Sequence, residues 1–171
     1  DELKRVFLRD DPLLKFPIYF PLAYRYKPSD KPEDLMAENQ QKQLVGLVRT
    51  TMLKRFESSW VAFQYTCEDI LLKYIAIYRD IDLDKYNKWL ESNSLWLLHI
   101  ERHMAERYEY KFSQEDTEEE DFLANLLTEP DFHLDKRIFR IKDLLADMEK
   151  DMNLLISFLD HLRDICEEHD T

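Results

Sequence analysis

Five residues about a third of the way along the chain have the side chains and the spacing to bind a phosphate group. They are two arginines, a lysine and two serines, namely Arg49, Lys54, Arg55, Ser58 and Ser59. Cationic side chains form charge-assisted hydrogen bonds with phosphate oxygens, and serine hydroxyls add neutral ones. This basic cluster predicts contact with a nucleic-acid backbone or with an acidic neighbouring protein surface. The other interpretation is a solvated helix face whose cations pair with nearby acids such as Glu57.

Other residue types that carry chemistry are sparse. His99 and His103 are four residues apart, a helical spacing that suits a metal ion, but the sequence supplies no third ligand, so an exposed pair is the expected arrangement. Glycine-rich phosphate loops, nucleophile elbows, C-x-x-C pairs and H-E-x-x-H motifs do not occur in the sequence. We therefore predict no catalytic, cofactor-binding or metal residue in this chain, and no enzymatic activity of its own.

Composition predicts an all-α fold. The chain has 171 residues, of which 44% are hydrophobic, and only one of them, Gly46, is a glycine. Tight hairpins and phosphate-binding loops need glycine, whereas long helices do not. Cys67 and Cys166 fall on apolar helical stripes, which favours buried reduced thiols over a disulfide or a metal role.

Charge is divided unevenly along the chain. Residues 1–55 carry 11 Lys or Arg and 8 Asp or Glu, while residues 56–171 carry 13 and 28, and the net charge is -12. An acidic chain is repelled by the phosphate backbone of nucleic acids, so any such contact would have to use the basic cluster. No run of apolar residues is long enough to cross a membrane, and we expect a cytoplasmic location.

Hydrophobic periodicity places three long helices. The first begins at residue 33 and continues to residue 78, with a possible kink at Gly46 and a buried stripe formed by Val45, Val48, Met52, Phe56, Trp60, Phe63, Cys67, Ile70, Tyr74 and Ile77. The second covers residues 85–111, with Tyr86, Trp89 or Leu90, Leu97, Ile100, Met104 and Tyr108 on one face. The third covers residues 134–166, with a heptad seam of Leu134, Ile138, Ile141, Leu145, Met148, Met152, Leu155, Leu159, Leu162 and Cys166.

Shorter segments connect these helices. Prolines at positions 17 and 21 exclude a helix interior, so residues 16–26 are predicted as an extended segment or edge strand. Residues 79–84 are a predicted connection, the acidic run 113–121 is predicted as a solvated loop or the start of a helix, and residues 122–127 as a short helix. The predicted organisation is an N-terminal segment and linker over 1–32, followed over 33–171 by an antiparallel, coiled-coil-like bundle of three long helices plus short helices.

One stretch resembles a known family. Residues 39–71 resemble the segment L-x-R-x-x-L-L-K-R-L-E-S-S-x-x-A-F of bacterial Swi/Snf-like superfamily-two helicases, several of which also carry a phospholipase-D-like nuclease module. The matching positions are Leu47, Arg49, Thr50, Leu53, Lys54, Arg55, Glu57, Ser58, Ser59, Ala62 and Phe63. Phe56 stands where leucine is commoner. Residues 16–26 and 161–171 resemble the flanks of that segment more loosely.

The resemblance implies a helical insertion between two RecA-like ATPase lobes. It would make this chain a fragment of a DNA helicase or translocase whose lobes bind ATP and Mg²⁺ and make most of the DNA contact. None of the family's catalytic residues has a counterpart here. The basic cluster would touch the duplex backbone or the opposing lobe. The alternative is a free-standing helical module for protein–protein interaction.

Overall fold

Four α-helices account for most of the described residues. In the computed structural model, the backbone is described for residues 13–111 and 134–169, and side chains for residues 13–103 and 134–164. The helices are α1 (Pro32–Ser58), α2 (Trp60–Ile81), α3 (Leu83–Lys111) and α4 (Ile141–His169). These ranges contain no strand, which confirms the all-α prediction. The predicted short helix at 122–127 and the acidic run at 113–121 lie outside the described residues.

The predicted first long helix consists of two helices. Helix α1 runs through Gly46 without a break and ends at Ser58, and α2 begins at Trp60. Ser59 separates them with an extended backbone (φ -159°, ψ 118°). The predicted stripe is buried at most of its positions, but Trp60 is 45% exposed. Trp60 leaves the stripe because it follows directly on this change of backbone direction.

The proline-rich segment forms two 3₁₀ turns where an extended segment or strand was predicted. The turns cover Pro17–Tyr19 and Pro21–Tyr24, and each begins with its proline. A proline suits the first position of a turn because its φ is fixed and its missing N–H is not needed there. Beyond the turns, one isolated antiparallel bridge joins Arg25 to Phe139. The sequence therefore located this segment correctly and assigned it the wrong backbone.

The two 3₁₀ turns lie against α1 and α4. Helix α4 begins at Ile141, seven residues later than predicted, because residues 136–138 form a turn. The carboxylate of Asp135 accepts a hydrogen bond from the backbone N–H of Arg137 at 2.9 Å and so stabilises this turn. Ile138, a predicted seam residue, is consequently 51% exposed. Six predicted seam residues are buried, namely Leu145, Met148, Met152, Leu155, Leu159 and Leu162.

Helix α3 begins after a single connecting residue, Asp82, where the sequence predicted a connection over residues 79–84. The Asp82 carboxylate accepts the backbone N–H of Lys85 at 3.1 Å and caps the new helix. Asn93 has a non-helical backbone (φ -128°, ψ 15°) that kinks α3. Trp89 and Ile100, one on each side of the kink, are both buried as predicted.

The chain forms two compact units, divided within α2. Among the described residues, the first unit contains 13–74 and 134–169, and the second contains 75–111. The division of the sequence into 1–32 and 33–171 stays a prediction. Across the described ranges, none of the helices combines the length and the apolar character that a membrane crossing requires.

A buried carboxylate holds the first unit together. Asp151 on α4 is 1% exposed and accepts three hydrogen bonds. The donors are the backbone N–H groups of Lys15 (3.1 Å) and Phe16 (2.8 Å) and the hydroxyl of Tyr74 (2.5 Å). One side chain thus joins α4 to α2 and to the N-terminal segment.

Desolvation dominates the titration of this carboxylate. Burial raises the pKa of Asp151 from 3.8 to about 6, although the hydrogen bonds from Tyr74, Lys15 and Phe16 act in the opposite direction. An acid with a raised folded-state pKa holds its proton more tightly in the folded than in the unfolded protein. Its contribution to stability is therefore fully present below the unfolded pKa and is lost as the pH rises through the folded value.

We predict that Asp151→Asn removes this pH dependence. The free energy of unfolding of the wild type, relative to that of D151N, should fall by about 2 kcal/mol between pH 4 and pH 7, since one pKa unit corresponds to about 1.36 kcal/mol and the unfolded-state carboxyl is already more than half ionised at pH 4. Urea unfolding of both proteins at several pH values measures the difference, and the other carboxylates cancel in the comparison. A difference that is flat or grows with pH would contradict the prediction.

Candidate functional site

The basic cluster does not form one surface, and Arg49 lies apart from the rest. Its guanidinium is half-buried in the first unit, and Nη2 donates a hydrogen bond to the carbonyl of Leu14 at 3.1 Å. The guanidinium carbon also lies 5.9 Å from the centre of the Phe16 ring, within the range of a cation–π contact. Arg49 therefore contacts the same N-terminal segment that Asp151 binds.

Arg49 has the electrostatic surroundings of a residue in the protein interior. Burial lowers the pKa of Arg49, while the negative charge of Asp151 and the nearby Tyr74 raise it. The guanidinium thus places a positive charge in the neighbourhood of the buried carboxylate. The half-buried position and these contacts commit Arg49 to the fold of the first unit.

Lys54 and Arg55 occupy the last two turns of α1, where Lys54 is exposed and Arg55 is half-exposed. The pairing with Glu57 that the alternative interpretation would use is not formed, and among the described residues neither cation forms an ion pair with any acid. A cation near the C-terminal end of a helix is favoured by the helix dipole, so the position of Arg55 is stable without a partner. Both charges remain free to bind an anionic group from outside.

The two serines have different structural tasks. The backbone N–H of Ser59 donates to the carbonyl of Arg55 at 2.8 Å and closes the last turn of α1. The Ser59 hydroxyl accepts the N–H of Ala62 at 3.3 Å, which is the geometry of an N-cap for α2. Ser58 makes one hydroxyl contact, to the carbonyl of Arg55 at 3.3 Å, and is exposed.

The candidate site is therefore the exposed junction between α1 and α2. We call this surface the helix joint and define it by Lys54, Arg55, Ser58, Trp60 and Val61. Trp60 is 45% exposed and Val61 is 54% exposed, so an apolar ridge adjoins the two cations in the chain. The joint can bind a phosphate or a carboxylate through its cations, and a base or an apolar side chain through Trp60.

The histidine and cysteine residues form no metal centre in the part of the chain described. The rings of His99 and His103 are stacked with their centres 6.5 Å apart, and Trp96 meets His99 edge-on. No group of three or more possible ligands occurs there. Cys67 is fully buried, and burial raises the pKa of its thiol well above the usual range. The side chain of Cys166 lies outside the described residues.

Sequence reasoning missed a second polar centre, which surrounds Asp151. The hydroxyl of Tyr24 donates to Asp147 at 2.5 Å, and the Lys15 ammonium lies 3.8 Å from the other oxygen of Asp147. The signal was the position of Asp151 on α4, at the spacing of the buried residues Met148 and Leu155. Protein groups donate to both carboxylate oxygens of Asp151, and the residue has almost no solvent contact, so it serves the fold.

Comparison with protein-family models, curated proteins and solved structures finds no match to this chain.

We predict that Ser59→Ala destabilises the protein and that Ser58→Ala does not. Loss of the N-cap hydroxyl should lower the free energy of unfolding by about 1 kcal/mol. Ser58→Ala is the matched control, because its exposed hydroxyl satisfies no backbone N–H, and a change below about 0.5 kcal/mol is expected. Denaturant unfolding of both variants measures the difference, and equal effects would argue against the capping role.

We predict that Arg49→Ala also lowers the free energy of unfolding. The substitution leaves the Leu14 carbonyl without its donor and removes the positive charge near Asp151, which should cost about 1 to 2 kcal/mol. Lys54→Ala, five residues further along the same helix, is the control and should lie within about 0.5 kcal/mol of the wild type. Thermal or urea unfolding tests this, and a wild-type stability for R49A would place the guanidinium outside the core.

Proposed function

We propose that this chain is the helical accessory domain of an ATP-dependent Swi/Snf-like helicase or translocase in the cytoplasm. In this proposal the domain lies between two RecA-like lobes and moves with them as a rigid element. The lobes bind ATP and Mg²⁺ and hydrolyse the nucleotide, and this chain supplies no catalytic group. We further propose that its long helices pack as an antiparallel bundle. The family resemblance over residues 39–71 is the starting point of the proposal.

The observation that carries the proposal is the set of hydrogen bonds around Asp151. They attach the segment that enters the domain, at Lys15 and Phe16, directly to α4, the last helix. A bridge between Arg25 and Phe139, with the N–H of Tyr26 donating to the carbonyl of Ile138 at 2.9 Å, adds a second attachment. An entry segment that is fastened to α4 at one place and to the residues just before α4 at another can pass a displacement of its neighbour on to that helix.

The helix joint fits the contact role within this proposal. Lys54 and Arg55 are the members of the basic cluster that remain available to an external anion. They lie within the last two turns of α1, directly before the extended residue Ser59 that separates α1 from α2. We propose that this pair touches the DNA backbone or an acidic patch of the neighbouring lobe, and that Arg49 does not.

A test of this role uses the longer polypeptide that contains both lobes. Lys54→Ala with Arg55→Ala should reduce the apparent affinity for duplex DNA about tenfold and the slope of log affinity against log salt by about 2, since two phosphate contacts are lost. DNA-stimulated ATP hydrolysis should fall in parallel at subsaturating DNA. Hydrolysis without DNA should be unchanged.

The matched control removes two lysines elsewhere. Lys142 and Lys150 are both exposed on α4, so their replacement by alanine changes the net charge by the same amount. A drop in DNA affinity that is specific to the joint variant supports a backbone contact. Equal affinity but impaired stimulation indicates a contact with the lobe. Unchanged affinity and stimulation would refute a role for the joint.

The alternative, a helical module for protein–protein interaction, is favoured by the exposed apolar ridge of Trp60 and Val61. Tryptophan and arginine are enriched among the residues that dominate protein interfaces. The two proposals differ in their requirement for motor lobes. A gene that encodes ATPase motifs on both sides of this chain supports the first, and a gene that encodes this chain alone supports the second.

A further inference from the structure

Helix α3 has two apolar faces that point in opposite directions. One face carries Trp89 and Ile100, which are buried. On the other side, Leu95 is 82% exposed and Leu98 is 60% exposed. Single exposed leucines are ordinary, but two that adjoin on a helix form a local patch that water solvates poorly.

Charged residues bracket this patch symmetrically. Glu91 lies four residues before Leu95, and Arg102 lies four residues after Leu98. The order Glu–Leu–Leu–Arg at steps of four, three and four keeps all four side chains on one exposed face. Neither Glu91 nor Arg102 forms an ion pair among the described residues.

The kink at Asn93 leaves this face continuous. Trp89 and Ile100 are eleven residues apart, lie on opposite sides of Asn93, and are both buried. Glu91 and Arg102 have the same separation and also lie on opposite sides of Asn93, and both are exposed. Because eleven residues make close to three helical turns, the burial pattern shows that the helical phase is preserved across the kink.

We propose that α3 binds the same helix of a second copy of this chain, antiparallel, through the surface formed by Glu91, Leu95, Leu98 and Arg102. These four residues are spaced symmetrically in the sequence about the midpoint between Leu95 and Leu98. A two-fold axis there places Leu95 against Leu98 of the other copy and Glu91 against Arg102 of the other copy. Such an isologous contact uses each group twice and pairs each Glu91 with an Arg102 of the other copy.

The charge pattern favours a second copy of this chain over an unrelated protein as the partner that binds this surface. A partner of unrelated sequence would have to present an acid and a base at the same separation in the opposite order, whereas a second copy does so automatically. The surface is short, so the pair is a weak dimer of the kind that small interfaces form. This inference is independent of the proposed motor role, since it uses residues of the second unit alone.

Charge reversal gives a sharp test in solution. Sedimentation equilibrium of the chain from ~10 µM to ~1 mM should show a monomer–dimer equilibrium, in keeping with a small interface. Glu91→Arg alone or Arg102→Glu alone places like charges opposite each other twice, and each should weaken dimerisation at least about tenfold. An equimolar mixture of E91R and R102E should restore the dimer, because each variant then faces its complement.

Two further variants complete the design. Leu95→Ser with Leu98→Ser should abolish the dimer while circular dichroism stays unchanged, since both side chains are exposed in the monomer. Glu149→Arg, an exposed acid on α4, makes the same change of charge away from the proposed surface and should leave dimerisation unaltered. A chain that is monomeric throughout the concentration range, or a dimer that E91R and E149R weaken equally, would overturn the proposal.

Discussion

The buried carboxylate of Asp151 is the interaction on which the first unit depends. Its two oxygens accept hydrogen bonds from Lys15, Phe16 and Tyr74, which belong to parts of the chain far apart in sequence. Removing a carboxylate from water is unfavourable, and the raised pKa of Asp151 shows that three hydrogen bonds do not fully offset this. The carboxylate contributes to specificity, because two adjacent backbone N–H groups of the N-terminal segment each donate to a different oxygen and so define where that segment lies. That placement also holds Phe16 at φ 53°, a left-handed conformation that costs a phenylalanine about 1 kcal/mol or more.

A second constraint is the near absence of glycine. The chain connects its helices without glycine by using side chains that cap the start of the next helix. Both described junctions between consecutive helices consist of one residue, Ser59 or Asp82, whose side chain accepts an N–H of the next helix. Serine and aspartate allow an extended backbone at an N-cap and satisfy donors that the new helix leaves open. The chain therefore changes direction within a single residue and without a left-handed turn. This explains how helices α1 to α3 follow one another with almost no loop.

Hydrophobic periodicity correctly predicted those features of the fold that depend only on which residues are buried. The positions from Leu145 to Leu162 on α4 are buried because a stripe at helical spacing has to be covered, and the all-α fold follows from the same patterns. Hydrophobic periodicity failed as a guide where the backbone conformation changes but the apolar stripe continues. The apolar spacing runs across Ser59 unbroken, so only the cap marks the boundary there. The 3₁₀ turns at Pro17 and Pro21 were missed because proline excludes a helix interior yet fits the first residue of a turn equally well. Asp151 was missed because its partners are distant in sequence.

The candidate site shows that one sequence motif can combine two tasks. Arg49 and Lys54 are neighbours in the motif, yet one contacts the N-terminal segment and the other faces solvent. The helical repeat requires this separation: five residues advance the direction by about 140°, so side chains that begin on the buried edge end on the open side. A cluster of cations read along the sequence therefore overstates the charge available at any one surface. Lys54 and Arg55 remain outside, and the exposed Trp60 follows them closely in the chain. On a chain with a net charge of -12, a local pair of this kind attracts an anion only at short range, which favours a partner that other contacts have already positioned.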